Sequence, residues 1–146
     1  MAYLFDSNIL LRLVHRNHPE HWLIRRAVRT LHQRGEQSYY TSQNLVEFWN
    51  VATRPATARG GLGRLPADAD HAARVVERIM TLLPDTPAVH VEWRRLVVAH
   101  AVQGVQVHDA RLVAAMHVHG ISHILTLNDA HFARYPGITA VHPQAV

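Results

Sequence analysis

The chain of 146 residues contains no cysteine. That excludes a disulfide framework, thiol catalysis and any thiolate-bound zinc or iron–sulfur cluster. It contains no lysine either, since all 15 basic residues are arginine. A Walker-type phosphate-binding lysine, a Schiff-base lysine and a pyridoxal phosphate site are therefore excluded. Plentiful Ala, Arg, Val, His and Gly point to a GC-rich coding bias as the cause, and the exclusion holds whatever the cause. Serine is scarce: Ser7, Ser38, Ser42 and Ser122 stand in no G-x-S-x-G setting, which leaves serine hydrolysis without a nucleophile elbow. No apolar run approaches the roughly 20 residues that span a bilayer. Met1 to Asp6 has neither the basic nor the long apolar region of a signal peptide. The expectation is a cytoplasmic domain with no membrane partner.

What remains is the composition of one globular unit. Hydrophobic residues make up 48% and charged residues 18%, enough for a buried core, and the length suits a single domain over residues 1–146. The formal net charge of +4 is compatible with a nucleic-acid partner without demonstrating one.

Along the chain, Tyr3-Leu4-Phe5 reads as a short strand that stops at Asp6-Ser7-Asn8, and residues 9–14 read as a buried helix. Helix start and stop signals bracket residues 19–34. Ser38 to Thr41 reads as a strand, residues 43–53 as an apolar-faced helix, and residues 54–66 as an irregular, glycine-rich segment. Helices are predicted over 67–82 and 89–102, a turn or short strand over 103–107, a helix over 110–119 and a strand over 123–126. A helical turn near 130–133 and an apolar segment at 138–141 close the chain. Short strands alternating with amphipathic helices predict an α/β domain with a largely parallel sheet. In such sheets ligands bind beyond the carboxyl ends of the strands.

Several of the 11 acids stand at those ends. Asp6 follows the first strand, Glu47 lies on the helix after the second, Asp109 follows Val105 to Val107, and Asp129 follows Ile124-Leu125-Thr126. Converging carboxylates repel one another, and a divalent cation such as Mg²⁺ removes that cost. Cations so held support phosphodiester cleavage. A plainer reading is open for each acid. Asp6 and Asp109 suit helix N-caps, Asp129 suits a turn, and Glu47 suits an exposed polar stripe, although no arginine stands three or four residues from it.

Taken together, the segments resemble a known family. Leu4-Phe5-Asp6-Ser7-Asn8-Ile9-Leu10 is similar to the opening motif of PIN-domain nucleases. The segments Ser42 to Val51 with Glu47, Val107 to Ala114 with Asp109, and Ile124 to Phe132 are similar to the motifs that follow it. The order and spacing match over essentially the whole chain, most like the VapC-type toxin ribonucleases of type II toxin–antitoxin pairs. The resemblance implies a three-layer α/β/α domain with a central, mainly parallel sheet. It implies an endoribonuclease that hydrolyses RNA phosphodiester bonds with a metal-activated water, leaving 5′-phosphate and 3′-hydroxyl ends. Asp6, Glu47 and Asp109 would hold Mg²⁺ or Mn²⁺, with Ser7 and Asn8 supporting Asp6. It further implies a homodimer silenced by a small cognate antitoxin. One departure stands out. Many members carry a fourth acid two residues after the threonine of the last motif, where this chain has Asn128, with Asp129 one place later.

Two other classes compete. A phosphatase or phosphotransferase could use Asp6 as nucleophile, although the haloacid-dehalogenase pattern asks for a second Asp at position 8 and a distal Lys. A non-catalytic binding module would use the acids as helix caps. Arg54, Arg59 and Arg64 flank Gly60-Gly61-Leu62-Gly63 and could form a mobile basic loop that grips RNA phosphates, or an ordinary solvated loop. His15, His18 and His21, and His117 with His119, have spacings that arise readily by chance among 13 histidines. Trp22, Trp49 and Trp93 are expected to serve as packing anchors.

Overall fold

A computed structural model describes all 146 residues. Five strands form one sheet: β1 (Ala2–Phe5), β2 (Gln37–Thr41), β3 (Thr81–Leu83), β4 (His123–Leu125) and β5 (Thr139–Val141). Their spatial order is β3-β2-β1-β4-β5, and every neighbouring pair is parallel. Six helices connect them: α1 (Ser7–Val14), α2 (His21–Gln33), α3 (Ser42–Thr53), α4 (Pro66–Ile79), α5 (Pro87–Ala99) and α6 (Gln106–His119). Asp129–Phe132 and Pro143–Ala145 form 3-10 turns.

Side chains alternate across a strand, so β1 feeds two cores. Tyr3 and Phe5, with Leu125 of β4, face a cluster built from α1 to α4 that includes Ile9, Leu10, Ile24, Phe48 and Val76. Leu4 and Ile124 face the opposite cluster, built from α5 and α6 around Leu96, Val113 and Met116. The layers are therefore helix, sheet and helix. The helix boundaries follow local chemistry. Thr41 and Asn44 form a reciprocal capping box at the start of α3, and prolines open α4 and α5. Gly120 ends α6 at φ 70°, a left-handed conformation that glycine adopts at little cost. No helix is long and apolar enough to cross a membrane.

Two sequence expectations change. The predicted helix over 67–82 ends at Ile79; Met80 turns extended, and Thr81–Leu83 pairs with Tyr39–Thr41 as an edge strand. The apolar spacing there suits either state, and pairing with distant β2 decides it. Residues 103–105 take the turn form of the expected turn or short strand, but the helix predicted over 110–119 starts earlier: Ala101 (φ 48°) and Gly104 (φ 59°) reverse the chain, and α6 begins at Gln106.

Candidate active site

Because β2 lies on one side of β1 and β4 on the other, the strand order reverses at β1. Crevices at such switch points are where open α/β sheets place ligands. Asp6 stands there, one residue past β1 and next to the end of β4, and its backbone N–H donates to the Leu125 carbonyl (3.0 Å). Both of its carboxylate oxygens are held. Oδ1 accepts from the Ser7 backbone N–H (2.7 Å), so Asp6 is also the N-cap of α1. Oδ2 accepts from the Thr126 hydroxyl (2.7 Å) and from Asn8 Nδ2 (3.2 Å). Asn8 in turn accepts the Leu127 N–H on Oδ1 (3.2 Å), and Thr126 Oγ1 accepts the Asn128 N–H (3.0 Å). The turn after β4 is thereby tied to the start of α1.

Glu47 reaches the same cleft from one turn into α3. Ser7 Oγ donates to its Oε2 (2.5 Å) and Gln43 Nε2 donates to its Oε1 (2.9 Å). Ser7 Oγ accepts from Asn44 Nδ2 (3.2 Å), and the fully buried Asn44 is itself locked by Thr41. Asp109 comes from the first turn of α6, where the helix dipole favours a negative charge. It is neither the N-cap nor a post-strand residue, because the helix begins three residues earlier. His131 Nδ1 lies 3.4 Å from its Oδ2.

Asp6, Glu47 and Asp109, with Ser7, Asn8, Asn128 and His131, line one open cleft of about 750 Å³. Burial pushes the Asp6 carboxyl up from 3.8 to about 6. The Thr126 and Ser7 hydrogen bonds oppose that rise, and the charges of Asp109 and Glu47 add to it. The Asp109 carboxyl is also raised, chiefly by burial and further by Glu47, while His131 works against the rise. Asp6 and Asp109 are thus raised chiefly by burial and further by the charges of neighbouring carboxylates. As the side chains stand, no three His, Asp or Glu groups are arranged to hold an ion. The donor set nevertheless fits a hard divalent cation: each carboxylate oxygen has two lone pairs, and the observed hydrogen bonds leave acceptor capacity free.

The remaining sequence candidates separate clearly. Asn128 lines the cleft, whereas Asp129 is exposed, lies outside it and is the first residue of its 3-10 turn rather than the cap. Of the three arginines only Arg54 lines the cleft. Arg64 donates to the Val14 carbonyl on another face, and Arg59 offers its carbonyl to Arg54. The glycine-rich segment is folded back onto α3, with Leu62, Gly63 and Arg64 N–H groups bonded to Val51, Arg54 and Ala52 carbonyls. A Cβ on Gly61 would meet the Pro55 carbonyl oxygen at 2.2 Å, so this backbone packs too closely for any side chain. Thr126, Asn44, Gln43 and His131 are site residues that the sequence motifs do not single out. Their only signal is a polar side chain placed beside an acid-bearing motif.

The PIN domain family model matches residues 3–138. The chain belongs to the PIN domain family. No curated protein matches it at the level of sequence. Among solved structures, VapBC2 from Rickettsia felis bound to a promoter DNA fragment superposes with a TM-score of 0.71 at 11% identity, covering 97% of this chain and 98% of that one. DNA-bound VapBC from Salmonella typhimurium gives 0.70 at 17% identity, covering 98% of each chain. The sarcin–ricin-loop-cleaving toxin VapC20 of Mycobacterium tuberculosis gives 0.66 at 17% identity, covering 95% of this chain and 99% of that one. At these identities the likeness is one of fold, and this PIN domain shares that fold along nearly its whole length.

Proposed function

We propose that this PIN domain is the toxin of a toxin–antitoxin pair, an endoribonuclease that hydrolyses RNA phosphodiester bonds with Mg²⁺ or Mn²⁺ held by Asp6, Glu47 and Asp109. The observation that carries the reading is the convergence of three carboxylates, from three separate elements, on one cleft at the strand-order reversal. A cation bound there would supply an activated water at neutral pH and neutralise charge on the phosphate. The protein's own groups do the rest. Ser7, Thr126 and Asn8 fix the Asp6 carboxylate, Ser7 and Gln43 fix Glu47, and His131 approaches Asp109. Asn128 faces the cleft where related chains carry a fourth acid, and Arg54 offers a guanidinium to a neighbouring RNA phosphate.

The rival readings lose ground on specific contacts. As a phosphoryl acceptor Asp6 would need a general acid two residues on and a distal lysine, yet position 8 is an amide bonded to it and the chain has no lysine. Capping accounts for Asp6 but for neither Glu47 nor Asp109. Neighbours solved as toxin–antitoxin complexes support a small antitoxin partner, and the family resemblance supports a homodimer acting in the cytoplasm. The test is cleavage of a single-stranded RNA panel with EDTA, with Mg²⁺ and with Mn²⁺. Cleavage that appears only with metal and is lost in Asp6→Asn and Asp109→Asn is the expected outcome. Equal cleavage in EDTA, or full activity in either variant, overturns the mechanism.

A further inference from the structure

Glu47 and Asp109 are carried by different helices, α3 and α6, and nothing covalent near the cleft fixes the distance between them. Gln43 joins the two. It is the second residue of α3, and the two hydrogens of its amide nitrogen are both used. One goes to Glu47 Oε1 (2.9 Å), one turn along the same helix, and one to the carbonyl of His108 (2.9 Å), the residue immediately before Asp109. The amide oxygen accepts from Arg111 Nη1 (3.3 Å), which fixes which end of the amide faces the carboxylate. Arg111 is in turn anchored through Nη2 to Asp85 Oδ1 (3.0 Å), and Asp85 accepts the Ser42 hydroxyl on its other oxygen. A closed polar ring thus clamps the start of α3 to α6.

We infer that Gln43 is a positioning residue that sets the spacing between the Glu47 and Asp109 carboxylates, with Arg111 acting through it by fixing its amide orientation. The inference rests on the proposed cation site and concerns how that site is held ready. The Glu47 charge bears on Asp109; a neutral amide that donates toward both helices holds them together without supplying a charge that would compete with a cation. The Arg111 charge is committed to Asp85, so the amide brings geometry rather than neutralisation. Removing such an outer-shell partner weakens metal binding by roughly 10- to 100-fold.

The test measures Mn²⁺ affinity by titration calorimetry on the full chain, alongside thermal melts in EDTA. Gln43→Leu keeps the side-chain bulk and should weaken Mn²⁺ binding at least tenfold, with a melt close to the parent's. Gln43→Glu removes both donated hydrogens and adds a negative charge facing Glu47, so it should fail to restore the fit. Arg111→Met should weaken binding by less than Gln43→Leu. The double variant Gln43→Leu/Arg111→Met should bind no worse than Gln43→Leu alone, because Arg111 has no other route to the site. Parent-like Mn²⁺ affinity in Gln43→Leu overturns the positioning role, and additive losses in the double variant overturn the route through Gln43. A parent that binds no Mn²⁺ at all overturns the cation site, and this inference with it. If Gln43→Leu does not fold, Gln43→Met and the Arg111→Met single variant decide the question by the same criterion.

Discussion

Replacing Asp6 by Asn in metal-free protein should change the pH dependence of stability in a calculable way. The Asp6 carboxyl is raised from 3.8 to about 6 in the folded state, so the fold holds this proton more tightly than the unfolded chain does. As pH rises through 3.8 the unfolded state gives the proton up first, and stability falls until the folded-state group has also ionised near pH 6. A rise of that size amounts to a full penalty of about 3 kcal/mol, at roughly 1.4 kcal/mol per unit. About one third of it has developed by about pH 4.5, which leaves about 2 kcal/mol to appear between about pH 4.5 and 7.5. The variant lacks this ionisation. It loses acceptor capacity toward Thr126 and Asn8, but that cost is nearly independent of pH, and Asp109 titrates in both proteins and cancels to first order. Stability of Asp6→Asn relative to the parent should therefore climb by about 2 kcal/mol over that range, a relative shift in Tm of roughly 6–8 °C for a chain of this size. Thermal melts in EDTA at half-unit pH steps measure it directly. A difference that stays flat from about pH 4.5 to 7.5 would mean that Asp6 is not raised, and the argument from burial and mutual repulsion would fall. With saturating Mn²⁺ the order should reverse near neutral pH, because mass action stabilises the parent more than a variant that binds the ion weakly.

Three further outcomes are expected. Thr126→Val keeps the buried shape but strips the strongest donor from Asp6 and the acceptor from the Asn128 N–H; urea melts should show a loss of about 1–3 kcal/mol, and the acid limb of the pH–rate profile should move to higher pH. Asp129→Asn should leave cleavage within several-fold in side-by-side rate measurements, because Asp129 lies outside the cleft, and a loss of about 10²-fold would instead assign it a catalytic part. Arg54→Ala should weaken RNA binding and lower the salt dependence of the binding constant by about one ion, whereas Arg64→Ala, which removes a group bonded to the Val14 carbonyl, should leave that slope unchanged in fluorescence titrations.

The acids were legible in the sequence because each stands in a local pattern. Asp6 closes an apolar strand, Glu47 is an acid without a helical arginine neighbour in an apolar helix, and Asp109 stands beside an apolar helical run, although the structure places it in the first turn of α6 rather than at its start. Their partners were not legible, because those contacts are made across the chain. Thr126 reaches Asp6 over 120 positions, and Gln43 reaches His108 over 65. A threonine at a strand end or a glutamine in a first helical turn carries no mark of what it will face. The same limit explains β3, whose three residues fit a helical spacing until β2 pairs with them, and the glycine-rich segment, whose order comes from backbone bonds to α3. Only one of the flanking arginines was placed usefully by reasoning from charge alone, since position on the chain does not say which face a long side chain serves.

What most sharply separates this cleft from an ordinary acidic surface is the identity of its hydrogen-bond donors. The chain carries 15 arginines, and several of its acids are paired with one: Glu20 with Arg12, Asp70 with Arg74, Asp85 with Arg111 and Glu92 with Arg95. None of Asp6, Glu47 and Asp109 is. Their donors are a backbone N–H, the hydroxyls of Ser7 and Thr126, the amides of Asn8 and Gln43, and one imidazole. A guanidinium beside Asp6 would oppose the burial and the neighbouring charges that raise its carboxyl. It would also fill the space between the carboxylates with a fixed positive charge. Hydroxyl, amide and backbone donors orient Asp6 and Glu47 without placing an arginine charge beside them, and at Asp109 only His131 opposes the carboxylate, the outer-shell arrangement that the proposed cation site would require. Arg111 shows how closely the distinction is kept: it reaches the site only through the Gln43 amide, with its own charge tied to Asp85.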